Sequence, residues 1–268
     1  MKRLFFITII LGFSCGNPNN NSKLLSNIFQ SMYKDFPKII ENPEEFRVQI
    51  IYTQIDRNNE QIPIFTSHKF NVVPEKYFYP ASTVKFPAAV LALDKINHLE
   101  SFGLTKDSKL TIGSDRGWME SVDNDSSSET GNASIAHYIK KIFVVSDDNA
   151  FNRIYEFLGQ DYFNERMWAI GYPDSRFRHR LSIRLSAEEN KYTNSFDFFS
   201  DKGNRLFSQP SNYSSINLSL NSKENFIGDS YLLDGEKIDN QMDFSQKNYF
   251  KLMDHCLLYT SPSPRARG

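Results

Sequence analysis

A serine with a lysine three places later, Ser82-Thr83-Val84-Lys85, stands where the chain passes from an extended to a helical pattern. Downstream of Tyr79-Pro80-Ala81, the residues Val84, Ala88, Leu91, Lys95 and Leu99 recur at helical spacing, the apolar ones on one face. Ser82 is therefore expected at the N-cap of a helix. Residues at i and i+3 share a helix face, so the Lys85 amine can reach the Ser82 hydroxyl. A hydroxyl is a weak nucleophile at its own pKa, and an amine deprotonated by burial can serve as its base. The helix N-terminus adds free N–H groups and positive potential for a developing oxyanion. One turn of chain thus holds three parts of an acyl-transfer site. The bland alternative is a capping serine beside a solvated lysine, because the spacing alone is weak: Ser31-Met32-Tyr33-Lys34 repeats it inside an amphipathic stretch with no strand before it.

The surrounding elements must hold that turn in place. Residues 23–40 alternate polar and apolar side chains at helical spacing until Pro37 disrupts them, which predicts a first helix. Residues 46–55 and 62–70 are rich in β-branched and aromatic side chains and flank the polar turn 56–60, which predicts an antiparallel hairpin leading to the serine. The serine helix continues to about Leu99, with a kink expected at Pro87 and an end at Gly103. Residues 113–134 and 200–230 are Ser/Asn/Asp-rich and read as loops. Between them, apolar periodicity runs from Ile135 to Leu158 and is broken by Ser146-Asp147-Asp148-Asn149. Short polar residues compete with the helix for its backbone hydrogen bonds, so a break between two helices is expected there. Residues 161–170 read as another helix, and a last one is expected to begin within 244–253.

The bulk of the chain narrows the class. A net charge of −1 with 24% charged and 40% hydrophobic residues describes an ordinary globular chain, and nothing basic argues for nucleic acid. Five scattered histidines show no ligand spacing, so neither metal nor cofactor is implied. The two cysteines, Cys15 and Cys256, sit near the chain ends, where no structural disulfide is expected. Met1-Lys2-Arg3 followed by a short apolar run is an export signal, and Gly12-Phe13-Ser14-Cys15 resembles the lipidation site of a bacterial lipoprotein. An ordinary cleaved signal is the alternative. The lipoprotein reading places a monomer in the periplasm or on the outer membrane, touching the membrane through its lipid alone.

Ser82-x-x-Lys85, followed 64 residues later by Ser146-Asp147-Asp148 and then Ala150 and Asn152, resembles the penicillin-recognising serine hydrolases, with the class A β-lactamases as the nearest branch. The resemblance implies an α+β fold, an antiparallel sheet flanked by helices, with a helical subdomain at about 100–230. It implies attack by Ser82 on a β-lactam or a peptidoglycan peptide, with Lys85 as base and Ser146 as the relay to the leaving nitrogen. The family has asparagine where this chain has Asp148, and a carboxylate accepts but does not donate. A shift of one residue would bring in Asn149 instead, so Asp148 and Asn149 both stand as substrate-binding candidates. The family's deacylating glutamate belongs to a loop at about 177–194, where Glu188 and Glu189 are the candidates, with two solvated glutamates as the alternative. Without such a base the chain reads as a D,D-peptidase, and without activity as a binding module.

The expected organisation is a signal at 1–15, a tether and first helix at 16–40, a hydrolase domain at 41–255, and a foreign tail at 256–268. That tail, from Cys256 onward, resembles translated sequencing adapter; a native tail rich in Ser, Pro and Arg is the alternative. No late Lys-Thr-Gly strand precedes it, so the expectation is a domain with its C-terminal strands missing that does not turn over substrate in this form.

Overall fold

The computed structural model describes residues 21–221 and 225–260. Cys15 and the residues after Thr260 lie outside the described part. Among the described residues no helix is long and apolar enough to cross a membrane. Two compact units divide at Pro74 and Glu75.

The smaller unit begins with α1 (Lys23–Ser31) and α2 (Pro37–Glu41), two helices where one was expected. Proline lacks the N–H that would continue a helix but fits the first turn of a new one, so Pro37 opens α2. The hairpin follows as β1 (Ile50–Arg57) and β2 (Pro63–Phe70), antiparallel from Ile50 opposite Phe70 to Arg57 opposite Pro63. Asn58 shapes its turn by accepting the N–H groups of Glu60 and Ile62 on its side-chain oxygen. Leu25, Phe29, Ile40 and Phe70 bury one face of this unit, with the Phe29 and Phe70 rings 4.7 Å apart.

The larger unit carries the serine. A single 3₁₀ turn (Ala81–Val84) runs into α3 (Lys85–His98). Pro87 is the third residue of α3, within its first turn, a place proline tolerates, and α3 runs unbroken to His98 past the point where a kink was expected. The strand β3 (Lys109–Ile112) precedes α4 (Ile135–Val145), α5 (Asp148–Leu158) and α6 (Gln160–Ala169). After the two-residue β4 (Tyr192–Thr193) come β5 (Phe196–Phe199), β6 (Arg205–Gln209) and β7 (Asn212–Tyr213). An antiparallel sheet of order β3-β5-β6 forms, and β4 pairs with β7. The segment expected to be a helical subdomain therefore also holds a sheet, and the polar stretch after residue 200 contains its edge strand. The short β8 (Phe226–Ile227) and β11 (Met242–Asp243) pair, as do β9 (Tyr231–Leu233) and β10 (Glu236–Ile238). The final helix α7 (Leu252–Thr260) includes the start of the expected tail, and its Leu257 and Leu258 pack against the main core.

That core joins Val84 of the 3₁₀ turn and one face of α3 (Ala88, Leu91, Ala92, Ile96) to Ile142 of α4, to Ile154 and Phe157 of α5, and to Phe196 and Phe198 of the sheet. Lys95 is drawn into this interior: it donates to the Phe157 carbonyl and to the Gln209 side chain, and burial lowers its pKa to about 8. The helix bearing the serine is thus fixed along its length. Phe157 is fully buried between Phe196 and Phe198, at ring distances of 5.7 and 5.5 Å. Phe157→Ala is expected to destabilise the larger unit by about 3–5 kcal/mol, read as a lower urea midpoint for its unfolding transition.

Candidate active site

Lys85 lies at the centre of a four-residue cluster. Its side chain is 3% exposed, and its amine donates to Ser82 Oγ at 3.1 Å, Ser146 Oγ at 3.0 Å, the Ser146 carbonyl at 2.6 Å and Asp148 Oδ1 at 2.5 Å. Ser82 and Ser146 are both exposed. Two solvent-facing hydroxyls therefore share one buried amine.

Local backbone geometry sets these positions. Ser82 is not the N-cap that was expected; it lies inside the 3₁₀ turn, whose first residue Ala81 has φ 45°, Pro80 is the N-cap, and Thr83 donates its N–H and hydroxyl to the Pro80 carbonyl. The polar break falls where the sequence placed it. Ser146 ends α4 in the left-handed region (φ 54°, ψ 42°), and Asp147 begins α5 by accepting the Ala150 N–H at 2.8 Å. Left-handed backbone costs a non-glycine residue roughly 1 kcal/mol or more, and it concentrates at functional sites. Seven described non-glycine residues adopt it, and three of them, Ala81, Ser146 and Ser182, border the Lys85 cluster.

Ser182 reaches the cluster on the loop after α6, donating its hydroxyl to Asp148 Oδ2. Amide side chains hold that loop by pairing with its backbone as a neighbouring strand would. Asn152 accepts the Leu181 N–H at 2.8 Å and donates to the Leu181 carbonyl at 2.9 Å, and Asn164 treats Phe177 likewise, at 2.9 Å in both directions. Beneath them Arg180 forms a buried ion pair with Glu156 at 3.2 Å. Burial tends to raise the Asp148 carboxyl, but the hydrogen bonds from Lys85 and Ser182 and the lysine charge outweigh it and hold Asp148 below the ordinary carboxylate range. The site thus contains a fixed anion. Burial, and then the Asp148 charge, push the Tyr79 phenol up.

The family model described as the β-lactamase enzyme family matches residues 32–216, well over half of the 268-residue chain. The chain belongs to the β-lactamase enzyme family. No curated protein matches it in sequence. The family assignment and the α+β architecture agree with the reading from the two motifs, which covered about residues 40–190.

Within this β-lactamase-family chain, Asp148 is the one of the two candidates that reaches the lysine. It takes the lysine, whereas Asn149 is the exposed second residue of α5. Glu188 and Glu189 are not brought to the cluster. Glu189 accepts the Ser186 N–H at 2.7 Å while its own N–H meets Ser186 Oγ at 3.1 Å, a reciprocal capping box at a 3₁₀ turn, and Glu188 pairs with Lys191 at 3.0 Å. Lys191 and Ser186 respectively hold the two carboxyls below their usual value. The loop offers the cluster a hydroxyl, Ser182, which nothing in the sequence around it marked.

His179 fastens the same loop from its other side. Its Nε2 accepts the Asn248 N–H at 3.1 Å, which makes Nδ1 the protonated nitrogen facing the Arg180 carbonyl at 2.6 Å. Burial lowers its pKa to about 4, and burial does the same to His255. Unfolded histidine binds its proton near pH 6.5, so below that pH the unfolded chain takes up protons that the folded chain refuses. Stability contributed by these two rings is therefore complete above about pH 6.5 and declines as pH falls toward about 4. A series of thermal midpoints should show this decline, shallower in the double variant His179→Gln/His255→Gln; equal slopes would count against it.

Proposed function

We propose that the chain is a serine hydrolase that opens the amide bond of a β-lactam, or cleaves a related peptide, through an acyl-enzyme on Ser82. The observation that carries this reading is the buried Lys85 amine within hydrogen-bond distance of two exposed hydroxyls. Ser82 Oγ attacks the carbonyl carbon with Lys85 as the base that accepts its proton. As the C–N bond breaks, Ser146 Oγ hands a proton to the leaving nitrogen and is reprotonated by Lys85. The Ser82 N–H, at the start of the 3₁₀ turn, stabilises the oxyanion. Water then cleaves the ester and restores Ser82.

The second half of the cycle is the slow one in this reading. Asp148 is tied to Lys85 and Ser182, and the two loop glutamates are engaged away from the cluster, so none of these three carboxylates is free to activate the deacylating water. This favours a long-lived acyl-enzyme, the behaviour of a D,D-peptidase acylated by penicillin. The proposed setting is an exported monomer anchored through lipid on Cys15, with antibiotic resistance the role if deacylation is fast. A catalytically silent binding module is the remaining reading, and Asp148 favours it, because its negative charge opposes a substrate carbonyl.

A fluorescent penicillin separates the three. Stoichiometric labelling that is lost in Ser82→Ala and persists for minutes supports the slow acyl-enzyme; rapid loss of label identifies a β-lactamase. Absence of label at millimolar probe would leave the binding module. Asp148→Asn exchanges a repelling acceptor for a donor, and labelling is expected to accelerate roughly tenfold, the equivalent of one charge-linked hydrogen bond. Slower labelling in that variant would instead make the carboxylate part of the proton path.

A further inference from the structure

The structure assigns a second, separate ligand site to the larger unit: a cavity of about 340 Å³ whose charged lining is basic. Arg178, His179, Lys191 and Lys247 face it, together with Asn217 and Gln246. None of Ser82, Lys85, Ser146 or Asp148 lines it. We propose that this cavity binds a small oxyanion of carboxylate or phosphate type.

Arg178 is the strongest reason. Its side chain belongs to a residue only 9% exposed, yet among the described residues its guanidinium meets no carboxylate: it donates to the carbonyls of Leu218 and Ser219, and its Nε–H has no hydrogen-bond acceptor there. A buried cation is ordinarily compensated by an anion, as Arg180 is by Glu156 two residues away. Lys247 forms no ion pair among the described residues. The nearby carboxylates are already engaged, Glu188 with Lys191 and Asp161 with the Ser214 hydroxyl and the Ile216 N–H. His179 adds no charge at neutral pH, because both its nitrogens serve the backbone. With Lys191 already paired to Glu188, the net positive charge of the cavity comes from Arg178 and Lys247, beside the amide side chains of Asn217 and Gln246. Planar guanidinium and mobile ammonium groups are the residue types that hold carboxylates and phosphates.

The occupied cavity would also brace the loop that carries Ser182, because Arg178 and His179 open that loop. The test is thermal unfolding of the full chain in sodium phosphate and in sodium succinate, each against sodium chloride at equal ionic strength. A rise in midpoint with either anion is expected, and which anion gives the larger rise distinguishes phosphate from carboxylate. Lys191→Gln/Lys247→Gln, two partly exposed positions, should weaken the apparent affinity by tenfold or more while the protein remains folded. Ser82→Ala should bind as the parent does. In NMR, the His179 ring resonances should shift on anion addition. The proposal is overturned if neither anion exceeds chloride, if the double lysine variant retains the full effect, or if Ser82→Ala abolishes it.

Discussion

A lysine amine taken out of water must find acceptors, and the chain around residues 81–85, 146–148 and 182 is arranged to supply them. Lys85 has three hydrogens to share among two hydroxyls, a carbonyl and a carboxylate, all within 3.1 Å. Removing these partners would leave an uncompensated buried cation, a penalty of several kcal/mol. The break between α4 and α5 is thereby tied to the start of α3, and these three helices also share one apolar core. Of the left-handed residues near the site, Ser146 is bonded to the amine itself and Ser182 to Asp148, the amine's carboxylate partner.

Much of this was legible in the sequence because it is local. The serine–lysine spacing needs one turn of helix, and the polar interruption at residues 146–149 needs two apolar-periodic segments on either side. Both motifs fix short-range geometry, and the family resemblance supplied their juxtaposition. The hairpin was readable for a similar reason, since alternation and a polar turn are properties of twenty consecutive residues. The sheet of β3, β5 and β6 escaped notice because its strands are only four or five residues long and sit among polar turns. Its register depends on Phe196 and Phe198 packing on Phe157, which is a tertiary fact.

The loop from Phe177 to Leu185 was the least legible part. A carboxylate in the right stretch of sequence suggested Glu188 or Glu189, but those side chains are consumed by a capping box and an i,i+3 ion pair. What the loop delivers to the cluster depends on where its backbone is held. The clamps include Asn152 and Asn164 on two different helices and Asn190 in the 3₁₀ turn after the loop, which accepts the Arg180 N–H at 2.9 Å and donates to the Leu185 carbonyl at 3.3 Å, residues that a sequence reading assigns to caps or surface. Asn152 had been noted for its place after the second motif, without its task. That task is to hold a strand-like backbone where no strand is available.

Those clamps recognise only main-chain N–H and C=O groups. The backbone of the loop is consequently held in part by asparagines elsewhere in the chain, with His179 and Arg180 as anchors of its own, while the side chains at positions such as 182 and 183 take no part in that backbone pairing. Shape and chemical content are separable here. Over evolutionary time such a segment behaves as a fixed socket for exchangeable groups, in which a hydroxyl, an amide or a carboxylate can be presented to the same lysine–carboxylate pair without refolding the scaffold that presents it.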